Sequence, residues 1–189
     1  VSLKGGRFIG HELLARVVDL REAELEAALA QAVEHHVLET KWPPAYTFRH
    51  ALLGETAADG MLPGERLRLH KAYAAVLAEC PHLAPASELA RHAAASGDLP
   101  AAVAASRTAA ESAMEVGGPQ DALFHLEQAL SWIEDDDPER DEVTIRAAEA
   151  ATAAGDILRA VRLLKDSITH PGPRQRPEMR AELLARYAT

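Results

Sequence analysis

A nine-residue pattern that occurs twice in the second half of the chain constrains the fold more than any other feature of the sequence. The copies are residues 95–103 (ASGDLPAAV) and 153–161 (AAGDILRAV). In each copy the glycine can adopt the left-handed conformation that ends a helix, and the aspartate after it can cap the next helix. The pattern therefore predicts two tight connections between helices.

A third break between helices and a set of small residues extend this pattern. The run Gly-Gly-Pro at residues 117–119 separates two further segments with helical apolar spacing. Ala102, Ala122 and Ala160 each follow a break at the start of the next helix. Tetratricopeptide-like repeats need such small residues where neighbouring helices approach closely. We therefore expect residues 81–189 to form a tetratricopeptide-like α-solenoid with irregular spacing.

The predicted solenoid offers one surface for binding. Its first helices, residues 88–95 and 143–154 among them, are expected to line a concave face on which a protein or a small effector docks. Residues 178–188 are predicted to form a last helix without a partner.

Composition agrees with helices that pack through small side chains. Apolar residues make up 48% of the chain but aromatic residues only 4%.

The net charge of −9 argues against a nucleic-acid surface, which needs clustered lysine and arginine. Cys80 is the only cysteine, so no disulfide can form within the chain. No run of about 18 apolar residues occurs. Together these features favour the cytoplasm and argue against membrane contact.

Residues 1–80 begin with two helix patterns. Apolar spacing predicts a short amphipathic helix over residues 11–18. Asp19 and Glu22 stand at capping-box spacing. A second helix is therefore predicted to begin at Asp19 and to end near His36.

Two strand-like runs follow these helices. They are residues 37–40 and 46–48, on either side of a turn that two prolines force. Helix, helix and hairpin is the order of a winged helix. The predicted fold class is all-α with one small β-hairpin, in which a winged-helix-like domain over residues 1–80 precedes the solenoid over residues 81–189.

The charge of the second helix decides between two interpretations of a winged helix. DNA-binding members lay this helix against phosphates, but here it carries Glu22, Glu24, Glu26 and Glu34 against Arg21 alone. Phosphates would repel such a surface. We therefore interpret the domain as a structural winged helix that faces another protein domain, with no direct nucleic-acid contact.

Motifs that would carry chemistry on their own are missing from the sequence. There is no G-x-x-x-x-G-K-[ST] phosphate-binding loop. His11-Glu12 opens like a zinc-protease helix, but Ala15 stands where the second histidine is required. The acidic run at residues 134–139 lacks the glycine and the last glutamate of a calcium loop, which predicts a solvated turn. No spacing fits a nucleophile with its base. We predict no catalytic residue, no metal ligand and no enzyme activity.

The most specific motif combines residues 46–55 (YTFRHALLGE) with residues 62–70 (LPGERLRLH). A short alternating strand leads His50 into a helix, and Pro63 opens the next helix. This combination resembles the end of the ATPase module in LuxR-type STAND transcriptional regulators. The resemblance covers roughly residues 6–133.

The resemblance implies a role for one residue and an order of domains. A winged-helix histidine in this family contacts the β-phosphate of bound ADP, and the matching residue here is His50, with Tyr46, Phe48 and Glu55 completing the pattern. Family members place a nucleotide-binding domain first, then the winged helix, the repeats and often a DNA-binding domain. The resemblance thus implies no cofactor in this segment, ATP or ADP on an upstream domain of the same polypeptide, and an effector or partner protein on the repeats.

Two alternatives remain open. His50 can instead begin its helix and hydrogen-bond only locally. Gly54 and the pair Ala57-Ala58 depart from the charged residue and the Val-Tyr pair that many members carry. For the chain as a whole, a regulatory segment that couples partner binding to a nucleotide switch competes with a tetratricopeptide-like scaffold for protein assembly without nucleotide control.

Overall fold

Helices account for most of the residues that the structure describes. A computed structural model describes residues 8–41, 44–169 and 177–187. Contacts divide the chain into two compact units, Val1–Ala84 and Pro85–Thr189, which we call the N-terminal and C-terminal units. The mainly helical class predicted from the sequence is confirmed at this level.

Four α-helices, one short 3-10 helix and a small sheet make up the described part of the N-terminal unit. In chain order its elements are β1 (Ile9–Gly10), α1 (His11–Val17), α2 (Glu22–Glu34), β2 (Leu38–Lys41), β3 (Ala45–Phe48), α3 (Ala51–Asp59), α4 (Pro63–Glu79) and a short 3-10 helix (Pro81–Leu83). Helix α1 packs against α4, and the buried apolar side chains among the described residues of this unit are Leu13, Val17, Leu25 and Leu77.

The sheet has three strands rather than the two of the predicted hairpin. All pairs are antiparallel and the order is β1-β3-β2, with Ile9 opposite Tyr46 and Leu38 opposite Phe48. Strand β1 is only two residues long, too short for an alternating pattern to be recognised. Its conformation depends on hydrogen bonding to β3, which is distant in sequence.

The start of α2 also differs from the prediction. The helix begins at Glu22 and not at Asp19, and Arg21 is its N-cap. The reason is the carboxylate of Glu24, which accepts a hydrogen bond from the backbone N–H of Arg21 at 3.1 Å. A side-chain acceptor at the third helical position satisfies an N–H group that the first turn leaves without a partner.

Helix α2 ends in a tight turn with a strained residue. His36 has a φ angle of 59° and is the one non-glycine residue with positive φ among those described. The N–H of Val37 donates to the carbonyl of Ala32 at 2.8 Å, and the N–H of His36 donates to the carbonyl of Val33 at 3.0 Å. This pattern is the Schellman motif, whose left-handed position normally holds glycine.

We expect His36→Gly to stabilise the N-terminal unit by about 1 kcal/mol, because a side chain in the left-handed conformation costs about that much. Hydrogen exchange of the α2 amides should slow in the variant. The matched control is His35→Gly, since His35 is also exposed but has an ordinary φ of −80°. Equal effects of the two variants would contradict the assignment of strain to His36.

The described residues of the C-terminal unit form six helices. They are α5 (Ala86–Ser96), α6 (Leu99–Glu115), α7 (Pro119–Trp132), α8 (Arg140–Ala153), α9 (Ile157–Thr169) and α10 (Pro177–Tyr187). Each helix packs against the next one in the chain, and α10 also contacts α8. The helix predicted to lack a partner, α10, therefore has two.

Three turns of the C-terminal unit share one geometry. Gly97, Gly117 and Gly155 have φ angles of 84°, 74° and 81°, and each turn has the two hydrogen bonds of a Schellman motif. The carboxylates of Asp98 and Asp156 each accept a hydrogen bond from the backbone N–H three residues later, at 3.1 and 3.0 Å. The helix ends and caps predicted from the nine-residue pattern are confirmed.

Small residues lie at equivalent places after these turns. Ala102, Ala122 and Ala160 each stand five residues after the left-handed glycine, and their exposed fractions are 0%, 0% and 4%. An alanine at this depth leaves room for the backbone of the neighbouring helix, as the sequence predicted.

Ion pairs show which helices lie side by side. Arg107 pairs with Glu142 at 2.9 Å and Arg146 with Glu111 at 2.5 Å, which joins α6 to α8. Further pairs join α8 to α10 and α7 to α9; they are Arg186–Glu149 and Arg159–Glu127. Helices two positions apart in the chain are therefore neighbours. The two copies of the nine-residue pattern connect α5 to α6 and α8 to α9, so they are not equivalent positions of a two-helix repeat.

Helix α8, which includes most of the predicted docking segment 143–154, is the most buried of the helices whose side chains the structure describes in this unit. Seven of its residues are buried: Val143, Thr144, Ile145, Ala147, Ala148, Ala150 and Ala151. Helices α7, α9 and α10 all pack against it. With neighbours on several sides, α8 has little surface left for a partner.

Candidate functional site

His50 lies between β3 and α3, with its side chain exposed. Its φ and ψ angles of −127° and 131° continue the extended backbone of β3, so α3 begins at Ala51 and His50 is the N-cap. The side chain makes no capping hydrogen bond, while the backbone carbonyl accepts from the N–H of Leu53 at 2.9 Å. The imidazole is therefore available to a group outside the described residues.

The strand places two of the motif residues on one face. Within β3, residues 46 and 48 point to the same side because side chains alternate along a strand, and His50 follows two residues after the strand ends. Thr47, on the other side, is buried at 8% exposure, whereas Phe48 is 38% exposed. The polar residue is thus inside and the aromatic residue is partly outside, the reverse of the usual arrangement.

Gly54 brings α3 close to this strand. A Cβ atom at this position would lie 3.0 Å from Cδ2 of Phe48, which is tighter than most real Cβ contacts, so the ring would have to shift by a few tenths of an ångström. The Phe48 ring therefore packs on the bare backbone of Gly54. A longer side chain at position 54 would displace the ring.

Helix α3 and its surroundings expose an unusual amount of apolar surface. No residue of α3 is buried. The exposed fractions are 72% for Leu52, 37% for Leu53 and 38% for Phe48. We call these three residues the α3 surface. These three residues lie within three positions of His50 in the sequence, and Leu62, the N-cap of α4, is 73% exposed. Exposed apolar side chains that form one patch are typical of a docking site.

Electrostatics at the start of α3 suit an anion better than a cation. The first turn of α3 carries no acidic residue, and the N–H groups of a first helical turn point outward with the positive end of the helix dipole. The nearest basic side chain in the sequence, Arg49, is occupied by Glu39 at 3.0 Å. His50 is therefore the side chain left to meet a ligand at this end of the helix.

Tyr46 belongs to a different part of the unit. Its hydroxyl lies 3.2 Å from Nδ1 of His11, and it lines a cavity of about 310 Å³ together with Thr40, Lys41, Pro44 and Ala45. His50 comes four positions after Tyr46, which in an extended chain corresponds to about 13 Å. The structure thus does not bring these two motif residues together.

Two histidines of the C-terminal unit were missed by sequence reasoning. His92 is buried on α5, where the Arg91 guanidinium donates to its Nε2 and also pairs with Glu88 at 2.7 Å. His125 on α7 has a buried Nδ1 without a hydrogen-bond partner among the described residues. Burial lowers the pKa of His125, and the charge of Asp121 partly opposes this shift. The feature that could have indicated a buried His92 is its position on the buried face of α5.

In the described part of the chain, histidine, cysteine and acidic side chains nowhere gather in a group of three that could hold a metal ion. None of the described helices is both long and apolar enough to cross a bilayer. In the acidic run, Asp137 accepts from the backbone N–H of Glu139 at 2.8 Å, which is the local turn geometry that the sequence predicted.

Comparison of the chain with protein-family models, curated proteins and solved structures finds no match.

Proposed function

We propose that this chain is the regulatory segment of a LuxR-type STAND transcriptional regulator. In this proposal the N-terminal unit is winged-helix-like and docks on the nucleotide-binding domain of the same polypeptide, in the cytoplasm. His50 contacts the β-phosphate of ADP held by that domain. The C-terminal unit is a tetratricopeptide-like solenoid that binds a partner protein or effector and couples this binding to the nucleotide switch. The segment itself catalyses no reaction.

One observation carries the proposal. The exposed imidazole of His50 stands at the start of α3 beside the α3 surface, whose apolar side chains face solvent. A docked domain would cover this surface, and a phosphate it holds could accept a hydrogen bond from the imidazole.

The order of elements supports the winged-helix assignment. Strand β1 precedes α1 and α2, and the hairpin of β2 and β3 follows them, with β3 in the centre of the sheet. This arrangement agrees with the winged-helix order of helix, helix and hairpin. The acidic residues of α2, Glu22, Glu26 and Glu34, are exposed, which supports a protein partner over DNA.

Spacing supports the tetratricopeptide-like assignment. The ion pairs that join side-by-side helices link residues that are 35, 35, 37 and 32 positions apart. A tetratricopeptide repeat has about 34 residues. Helix pairs that recur at nearly this period stack into the kind of array that presents extended binding surfaces.

The test uses the complete polypeptide that contains this segment. We expect His50→Leu to release bound ADP about tenfold faster, because a hydrogen bond to a charged group contributes about 1.5 kcal/mol at the low end of its range. Release can be followed with a fluorescent ADP analogue in stopped flow. The control is His82→Leu, since His82 is also exposed but lies in the 3-10 helix. Unchanged release from the His50 variant would refute the sensor role.

A scaffold without nucleotide control is the second candidate. It is favoured by exposed apolar side chains in the C-terminal unit, with Val116 at 84%, Leu158 at 70% and Phe124 at 56% exposure. If this candidate is right, assembly measured by analytical ultracentrifugation will be the same with ADP, with ATP and in the His50 variant.

A further inference from the structure

Among the residues of the C-terminal unit whose side chains the structure describes, the cations fall into two groups. Six of its arginines pair with carboxylates: Arg91, Arg107, Arg140, Arg146, Arg159 and Arg186. Arg162 and Lys165 on α9 are exposed and have no hydrogen bond or ion pair from their side chains to any described residue. In a chain with a net charge of −9, two adjacent cations without acidic partners are a departure from the rest of the unit.

These two cations share one side of α9 with apolar residues. Val161 and Arg162 lie three and four positions after Leu158, and Lys165 lies four and three positions after these two, so the four residues share one side of the helix. Leu158 is 70% exposed and Val161 is 39% exposed. We call these four residues the α9 stripe. Its first half is apolar and its second half is positively charged.

The opposite side of α9 is already used by the fold. Ala160 and Leu164 are buried in a cluster with Ile145, Ala148 and Ala151 of α8. Arg159 is held by Glu127 of α7. The α9 stripe is therefore surface that the internal packing of the unit leaves over, and the packing of α9 on α8 holds it rigidly in place.

We propose that the α9 stripe binds an acidic amphipathic segment of a partner protein. Apolar side chains of that segment would cover Leu158 and Val161, and its carboxylates would pair with Arg162 and Lys165. Complementary charge fixes the register of such a contact and speeds the encounter, while apolar burial supplies affinity. The inference rests on the proposed binding role of the C-terminal unit, and it does not depend on His50 or on nucleotide.

Other polyanions fit the α9 stripe less well. A nucleic acid or an anionic membrane presents a large negative surface, which a chain with a net charge of −9 repels. Each also requires more basic residues than the two offered here. A peptide with a few carboxylates can bind the α9 stripe alone, so the acidic residues elsewhere on the chain are not brought close to a second negative surface.

A synthetic peptide tests the inference directly on the complete 189-residue chain. The probe is a fluorescein-labelled helical peptide with leucines along the first half of one face and glutamates along the second half. Fluorescence anisotropy should report saturable binding. We expect the double variant Arg162→Glu/Lys165→Glu to weaken binding at least about tenfold, and Leu158→Asp to do the same. A peptide with lysines in place of the glutamates should bind the double variant better than it binds the original chain.

The chain offers a matched control for the charge reversal. Arg68 and Lys71 on α4 have the same spacing as Arg162 and Lys165 and are also exposed. The variant Arg68→Glu/Lys71→Glu changes the net charge by the same amount, so it should leave peptide binding within about twofold of the original value.

Several results would overturn the proposal. The first is absence of saturable peptide binding, and the second is equal weakening of that binding by the two double variants. The third is binding of the chain to vesicles rich in phosphatidylserine without binding to the peptide. Sedimentation velocity in the absence of peptide tests whether a second copy of the chain occupies the α9 stripe. A dimer that the Arg162→Glu/Lys165→Glu variant abolishes would assign the α9 stripe to a second copy of the chain instead. Because none of these measurements involves ADP, their outcome is independent of the His50 test.

Discussion

Ala102→Leu is expected to lower the free energy of unfolding of the C-terminal unit by about 3 kcal/mol. Ala102 is completely buried near the start of α6, and α6 packs against both α5 and α7. A leucine there has no space to occupy, so it must push a neighbouring helix away or adopt a strained rotamer. Urea unfolding in a Trp42→Phe background measures the effect, because Trp132 is then the only tryptophan and it packs against the core of this unit.

Ala104→Leu is the matched control for this experiment. Ala104 lies two residues further along α6 and is exposed. Its replacement should change the free energy of unfolding by less than about 0.5 kcal/mol, because the added carbons meet solvent. If both leucines were tolerated equally, close approach of helices through alanine would not be what holds this unit together.

Leu126→Ala is expected to destabilise the same unit by about 3 kcal/mol, for the opposite reason. Leu126 is 3% exposed and belongs to the cluster that joins α6, α7 and α8. In a core built mainly from alanine, the few large side chains fill the remaining space. Removing one leaves a cavity that its rigid neighbours cannot close.

Leu158→Ala provides the comparison for the cavity experiment. Leu158 is 70% exposed on α9, so its truncation should shift the free energy of unfolding by at most about 0.5 kcal/mol. The same variant should still weaken binding of the acidic peptide. This separation of stability from binding distinguishes a surface residue with a role in recognition from a residue of the core.

The parts of the fold that were predicted best are those with local causes. The left-handed glycines, Gly97 and Gly155, and the caps at Asp98 and Asp156 follow from backbone sterics and one hydrogen bond within a few residues. The start of α2 was predicted two or three residues too early, because Asp19 and Glu24 both offer a carboxylate and only the hydrogen-bond geometry selects between them.

Features that depend on distant residues were beyond the reach of the sequence. Strand β1 takes its conformation from β3, some 35 residues later. The burial of α8 within its unit could not be predicted either. An alanine-rich sequence is compatible with a helix that has one packed neighbour and with a helix that has several. At the candidate site, the exposure of His50 and the packing of Phe48 on Gly54 became visible only when β3 and α3 were placed together.

The amino-acid sequence by itself determined that this chain is helical, where its helices of the C-terminal unit stop and restart, and that small residues follow each stop. Each of these depends on the conformational preferences of a few consecutive residues, so no folded neighbour is required. Tertiary structure alone decided which faces are left in water: His50 with the α3 surface, and the α9 stripe. Exposure is a property of all the surrounding elements at once, and a linear pattern of residues does not specify it.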